Sequence, residues 1–384
     1  MRTRQQQWSE TKGWSDEEGD ERAGLALVFG SRTALEGPAL HDVPRRFPSA
    51  LVVGCSTAGE ICGDRVLDGS LVVTAVTFES STARSVTLPI ADPALSRDVG
   101  VALGDALASD DLRHTLVLSD GLAVNGSELV EGLGASLPPA VRVTGGLAAD
   151  GTRFEQTLVL ADGRPATRVV TAVGLDGPSL QIGYGSLGGW DPFGPERLVT
   201  RATGNVLHTL DGRPALDLYE EYLGDHAAGL PATGLLFPLS VWLRGRDQPV
   251  VRTILAVDRT ARSITFAGDV PAGSRARFMR ANIDRLVDGA VGAAAACSAT
   301  GAALGGSLAL LISCVGRRLV LGQRIEEEVE AVRGVLGVGT TMTGFYSYGE
   351  ISPFTPRARC ELHNQTMTVT TFAEGPGQPP CTAS

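Results

Sequence analysis

Short apolar runs closed by Gly, Pro or Asp clusters recur along the chain, with stretches of helical apolar spacing between some of them. Residues 25–29, 51–53 and 71–78 predict strands, with a helix over roughly 35–47 between the first two. Pro38 suits the first turn of that helix, and Pro44 breaks or kinks it. The same order returns with a strand at 115–118, a helix at 126–137 stopped by Pro138-Pro139, and strands at 141–143 and 156–160. It returns a third time with strand 308–314, helix 326–336, strand 338–343 and strand 366–372. Residues 86–88 predict a strand paired with the one before it, and 166–175 and 180–187 predict longer strands. A hairpin is expected at 198–203 and 206–210 around Gly204-Asn205. Strands at 235–242, 250–257 and 263–266 follow. Further helices are expected at 99–107, with Asp92 and Ser96 as candidate caps, from Pro214 to Gly224, and over the Ala-rich stretch 283–299.

This pattern predicts an α/β (mixed α+β) fold of repeated strand–helix–strand–loop–strand units, with two mixed sheets flanked by helices. Strand–helix–strand steps favour parallel pairing through a right-handed crossover, and the strands flanking each loop are expected to be antiparallel neighbours. Four segments are expected: a disordered acidic arm at 1–23, an N-terminal domain at 24–224, a C-terminal domain at 225–373 opened by a linker, and a flexible tail at 374–384.

Two octets stand out within the repeats. Gly54-Cys55-Ser56-Thr57-Ala58-Gly59-Glu60-Ile61 and Gly344-Phe345-Tyr346-Ser347-Tyr348-Gly349-Glu350-Ile351 share the opening Gly, a hydroxyl residue at the fourth place and a closing Gly-Glu-Ile. Each follows one strand-like run and precedes another, so each sets hydroxyls and one carboxylate at a strand end, where ligands are commonly held. The same residues also suit a tight turn whose Ser, Thr and Glu satisfy local backbone groups. Asp120-Gly121, Asn125 and Gly145-Gly146 occupy the corresponding places of the middle repeat.

Charge and cysteine usage narrow the partners. The 384-residue chain carries a net charge of −10 and has no basic block, which argues against nucleic acid or an anionic membrane. The apolar stretch 290–312 is interrupted by Gly292, Gly301, Gly305 and Gly306, so no membrane insertion is expected. The cysteines at 55, 62, 297, 314, 360 and 381 form no Cys-x-x-Cys pair and no zinc spacing. The N-terminus does not read as a signal peptide, and the expected setting is cytoplasmic.

The octet at 54–61, Leu-Ile-Ser-Cys-Val-Gly-Arg-Arg at 311–318, the Glu-rich helix after it, the second octet with Ser-Pro at 344–353 and Leu-His-Asn-Gln-Thr-Met at 362–367 together resemble the FIST proteins. The order fits a FIST N domain followed by a FIST C domain over about 25–372. The resemblance implies a sensory module of signal transduction that binds small ligands such as amino acids. No output domain is recognisable in this chain, so the signal is expected to pass to a separate protein in trans. Haem-based nitric-oxide sensing in the family implies a further role for a His ligand.

An amino-acid ligand needs a cation for its carboxylate and an anion for its ammonium. Arg317 or Arg318 supplies the first, and Glu60 or Glu350 the second. Cys55, Ser56, Thr57, Tyr346, Ser347, His363 and Asn364 complete the expected pocket wall. The competing expectation for the arginines is pairing with Glu326 or Glu327 on the next helix. No metal site and no cofactor are expected, except that His363 would be the axial ligand if haem is bound. The chain is read as a binding protein, not an enzyme. The enzymatic alternative makes Cys55 a nucleophile, with His363 and Asn364 as base and orienting group.

Overall fold

The computed structural model describes residues 1–244, 249–300, 308–353 and 359–375, with the backbone alone for 298–300. The tail expected at 374–384 lies outside the described residues from 376 onward, and Cys381 with it.

The architecture follows from one unit used three times. Its three strands are Leu25–Gly30, Leu51–Ser56 and Ser70–Thr77 in unit 1, then Leu112–Ser119, Arg142–Leu147 and Val169–Asp176 in unit 2. Unit 3 has Leu308–Cys314, Thr341–Ser347 and Met367–Glu374. In each unit the first two strands pair in parallel, with helices in the crossover. The third strand lies antiparallel on the other side of the first. The strands flanking each loop are therefore not neighbours, contrary to the sequence expectation, because the first strand separates them.

The outer edge of each second strand is taken by a hairpin from a different unit. The unit 1 hairpin Glu60–Cys62/Arg65–Leu67 adds to Thr341–Ser347 of unit 3. The unit 3 hairpin Gly349–Pro353/Cys360–His363 adds to Arg142–Leu147 of unit 2. The unit 2 hairpin Val159–Ala161/Arg164–Ala166 adds to Leu51–Ser56 of unit 1. The opposite edges are exchanged as well. Thr82–Pro89 pairs with Val169–Asp176, not with the strand before it as expected, and Leu180–Leu187 pairs with Met367–Glu374.

Arg2–Ser9 covers the remaining edge, on Ser70–Thr77. This overturns the expectation of a disordered arm at 1–23: the strand is held by backbone pairing, which polar residues make as well as apolar ones. Gln5 Nε2 adds bonds to Thr74 Oγ1 (3.1 Å) and the Met342 carbonyl (2.9 Å). Trp8 sits opposite Trp14, and the Arg46 guanidinium lies 4.3 Å from the Trp14 ring centroid.

Three mixed sheets thus replace the two expected, and a fourth, antiparallel sheet is built between Asp191 and Arg280. That fourth sheet carries its own apolar core around Tyr219, Phe266 and Phe278. The expected domain cut at 224/225 falls inside this module. The expected linker at 225–234 overlaps the short helical turns Gly224–Gly229 and Ala232–Leu236. The inner faces of the three mixed sheets share one core, with Phe29 and Cys55 from unit 1, Leu118 and Val173 from unit 2, and Ile312 and Phe345 from unit 3. Helices cover the outside. Ser96–Leu107 packs on Gly126–Ser136, and Ile283–Thr300 packs on Ile325–Leu336. A helix at Val315–Leu321, not anticipated from the sequence, starts directly after the first strand of unit 3.

Candidate functional site

Each octet opens inside its unit's second strand, where the Gly is still paired with the first strand. A Cβ at Gly54, Gly145 or Gly344 would lie 1.8, 1.9 or 1.7 Å from the carbonyl oxygen of Val28, Val117 or Leu311. Only glycine allows the first and second strands that approach, so the shared Gly is a packing requirement. The two octets also meet. Ala58 N–H donates to the Tyr346 carbonyl (2.8 Å) and Tyr346 N–H to the Gly59 carbonyl (2.9 Å).

The shared Glu then pins the turn. Glu60 accepts from Thr57 Oγ1 (2.5 Å), Ser70 Oγ (2.6 Å) and Ser70 N–H (3.2 Å). Glu350 repeats this with Ser347 Oγ (2.8 Å), Thr366 Oγ1 (2.9 Å) and Thr366 N–H (3.1 Å). Burial raises Glu60 to about 7 and Glu350 to about 8, against the hydrogen bonds that favour their charged forms. This is the local-turn reading of the octets, and it applies to both.

Unit 2 departs from the pattern. Val159 pairs with Cys55 as Glu60 pairs with Phe345, so Val159 stands where the Glu would be. Val169 replaces the hydroxyl partner: its carbonyl accepts from Asp120 N–H as that of Ser70 does from Ser31 and that of Thr366 from Cys314. Acid and hydroxyl are lost together, which leaves no buried polar group unpaired there.

A cleft of 460 Å³ opens where all three units converge. Unit 1 lines it with Thr57–Glu60 and Asp68, unit 2 with Asp150–Arg153, and unit 3 with Arg318. Arg318 reaches from unit 3 to unit 1, where Nη1 donates to the Ala58 carbonyl and Nη2 pairs with Asp68 at 2.5 Å. Its guanidinium carbon lies 5.8 Å from the Tyr346 ring centroid. Asp68 is 73% exposed, so this pair is a weak surface contact that a competing anion displaces at little cost.

The structure sorts the expected site residues into three groups. Thr57, Glu60 and Arg318 line the cleft. Arg317, Tyr346, Ser347 and Glu350 are buried and committed to internal partners. Arg317 pairs with Glu328 at 2.7 Å, not with Glu326 or Glu327, and also donates to the carbonyls of Leu286 and Gly188. Tyr346 OH donates to the same Glu328 at 2.7 Å. Arg317 is therefore not a carboxylate clamp: its turn of helix points it inward. Ser56 is also internal, with its Oγ accepting from Leu158 N–H at 2.9 Å.

Cys55, His363 and Asn364 form the third group, far from the roles considered for them. Cys55 lies in the central core, and burial pushes its thiol well above the usual range, which opposes nucleophilic use. His363 is buried, and its Nε2 is 2.8 Å from the Ser352 carbonyl, to which it donates. That nitrogen offers no lone pair while it makes this bond, so axial haem ligation through Nε2 would require the bond to the Ser352 carbonyl to break. Asn364 is buried, and its Nδ2 donates to the Tyr348 carbonyl at 3.3 Å.

Asp68, Asp150 and Arg153 are cleft residues that sequence reasoning missed. The signal for the last two was the position of Gly145-Gly146, which starts the octet frame of the middle repeat a few residues ahead of them.

Residues 24–213 match the FIST N domain and residues 215–353 the FIST C domain. The chain belongs to the FIST family, whose domains are associated with sensory roles in signal transduction. It is 27% identical over 364 residues to an uncharacterised protein of Mycobacterium tuberculosis, the match covering 91% of each chain. An uncharacterised protein of Methanocaldococcus jannaschii is 25% identical over 297 residues, covering 69% of this chain and 56% of that one. A cyanuric acid hydrolase structure from A. caulinodans overlaps 77% of this chain and all of its own at 14% identity, with a TM-score of 0.17, too low to support an argument. Among the described residues no helix is long and apolar enough to cross a membrane.

Proposed function

We propose that this protein is a small-molecule sensor that binds an amino acid, or a metabolite of similar polarity, in the three-unit cleft and acts by binding, without turnover. The observation that carries the reading is Arg318, a guanidinium that crosses from unit 3 to a unit 1 loop, where it donates to the Ala58 carbonyl and, among the described residues, has the exposed Asp68 as its carboxylate partner. A ligand carboxylate takes the place of Asp68 on the guanidinium, and the ammonium group sits against the displaced, exposed carboxylate of Asp68. Because the walls belong to different units, the ligand ties them together and changes their relative packing. A cytoplasmic partner in trans reads that change.

The test is a thermal-shift panel of the proteinogenic amino acids on the wild-type protein and on Arg318→Ala. One amino acid at about a hundred times its dissociation constant is expected to add roughly 2.7 kcal/mol of stability, and the effect should vanish in the variant. A panel that leaves the wild-type melting temperature unmoved would sink the reading.

A further inference from the structure

The cleft has a wall that only one unit supplies. Ala149 N–H donates to the Ser56 carbonyl as Ala58 does to Tyr346, and the Leu158 carbonyl accepts from Ser56 N–H as Gly59 accepts from Tyr346. Ala58 and Gly59 are adjacent, as are Tyr348 and Gly349, whereas Ala149 and Leu158 are separated by the residues 150–157. Unit 2 therefore carries an extra excursion, Asp-Gly-Thr-Arg-Phe-Glu-Gln-Thr, at the point where units 1 and 3 make their tight Glu-pinned turn.

The excursion is anchored, not loose. The Asp150 carboxylate, wholly buried, accepts from the backbone N–H groups of Phe154 (2.9 Å), Glu155 (3.0 Å) and Gln156 (3.0 Å) and from Tyr348 OH. The Phe154 ring stacks on Tyr348 with centroids 4.4 Å apart and planes inclined by 10°. Tyr348 stands where unit 1 has Ala58, so the anchoring residue is as particular to this junction as the excursion itself. The strap holds Arg153 at the cleft wall, with its side chain 48% exposed. The ion pair that Arg153 makes is a 4.0 Å contact with Asp150, whose oxygens already serve four closer donors. The result is a second guanidinium on the cleft, on a different wall from Arg318 and without a strong partner among the described residues.

We propose that Arg153 is a specificity-determining residue that selects a ligand with a second carboxylate, and that Tyr348 is the residue that positions it. The preferred class is then an acidic amino acid, with its α-carboxylate on Arg318 and its side-chain carboxylate on Arg153. This rests on the cleft being an amino-acid site, as argued above.

Isothermal titration with L-glutamate and L-glutamine, which differ in one charged oxygen for one amide nitrogen, separates the two claims. Wild-type protein is expected to prefer glutamate at least tenfold. Arg153→Gln should bring the ratio close to one while glutamine affinity stays within about twofold. Tyr348→Phe keeps the stacked ring and loses the hydroxyl. It should speed amide exchange at 151–157 and lower the glutamate preference, with glutamine binding retained. Equal binding of both ligands by the wild type, or a preference that survives Arg153→Gln, overturns the role of Arg153 and leaves the amino-acid site standing. Binding of neither ligand, together with a flat amino-acid panel, overturns the site itself and this assignment with it.

Discussion

Arg317 and Arg318 are consecutive, chemically identical and opposite in fate. One residue of helix turns the side chain by about 100°, which sends Arg317 into the interior and Arg318 to the cleft. Arg317 and Glu328 are both fully buried, and Ser313 Oγ and Tyr346 OH complete the carboxylate's partners. Removing the cation leaves that carboxylate uncompensated. Arg317→Ala is therefore expected to cost about 3–5 kcal/mol in chemical denaturation. Arg318→Ala should cost less than about 1 kcal/mol while abolishing ligand-induced stabilisation. A reversed ranking in urea melts would contradict this division. The sequence held the two arginines together as equal candidates because the short helix Val315–Leu321 follows a buried strand without a break in apolar content. Cys55 illustrates the same limit: a Gly-rich context suggests an accessible turn, but the residue is the buried end of a strand.

At the scale of the element, the Glu-pinned turn makes stability depend on pH. The folded-state values of Glu60 and Glu350 lie above the ordinary value of 4.5, at about 7 and about 8. Between these limits the folded protein holds protons that the unfolded chain has released, so stability falls as pH rises from about 4.5 to about 8. For Glu60 alone the change is on the order of 3 kcal/mol. Asp150 works in the opposite sense and in a lower window. Burial pushes its carboxyl up, but the Tyr348 hydroxyl and the backbone N–H groups outweigh that and hold it below the usual range. Melting temperatures of the wild type should thus decline between pH 5 and pH 8, and Glu60→Gln should flatten the slope while lowering stability at pH 5. A wild-type curve that rises across this window would refute the assignment. The octets were legible as a repeated feature because their Gly and Glu serve the same contacts in units 1 and 3. Their chemical purpose was not legible, since a pinning Glu and a ligand-binding Glu look alike in sequence.

For the whole molecule, the recurring strand–helix–strand order is visible in the sequence because each unit buries its strands on both faces. The pairing between units is not, because no local pattern says whose sheet a short hairpin joins. The same exchange runs across the boundary between the N and C domains: Leu180–Leu187 precedes the fourth-sheet module yet belongs to the sheet of unit 3. Arg2–Ser9 was misread for a related reason, since its polar composition gives no apolar periodicity while its backbone pairs along the full length of Ser70–Thr77. Deleting residues 2–9 strips that edge. The truncated protein is expected to lose cooperative stability and to self-associate through the bared strand, which light scattering at rising concentration would report. A monomeric truncation with an unchanged melting temperature would show that the strand is dispensable.

The cyclic donation of hairpins also constrains how such a chain arises. Each unit gives its hairpin to one neighbour and receives one from the other, a heterologous contact that closes after three steps. A polypeptide holding a single unit could satisfy its edges only by joining two further copies in a ring of threefold symmetry. The present chain holds three such units, exchanging hairpins in that cyclic order, within one polypeptide. Joining the units lets unit 2 carry the strap while unit 3 carries both its tyrosine anchor and the cleft arginine, a division of labour that identical copies could not make.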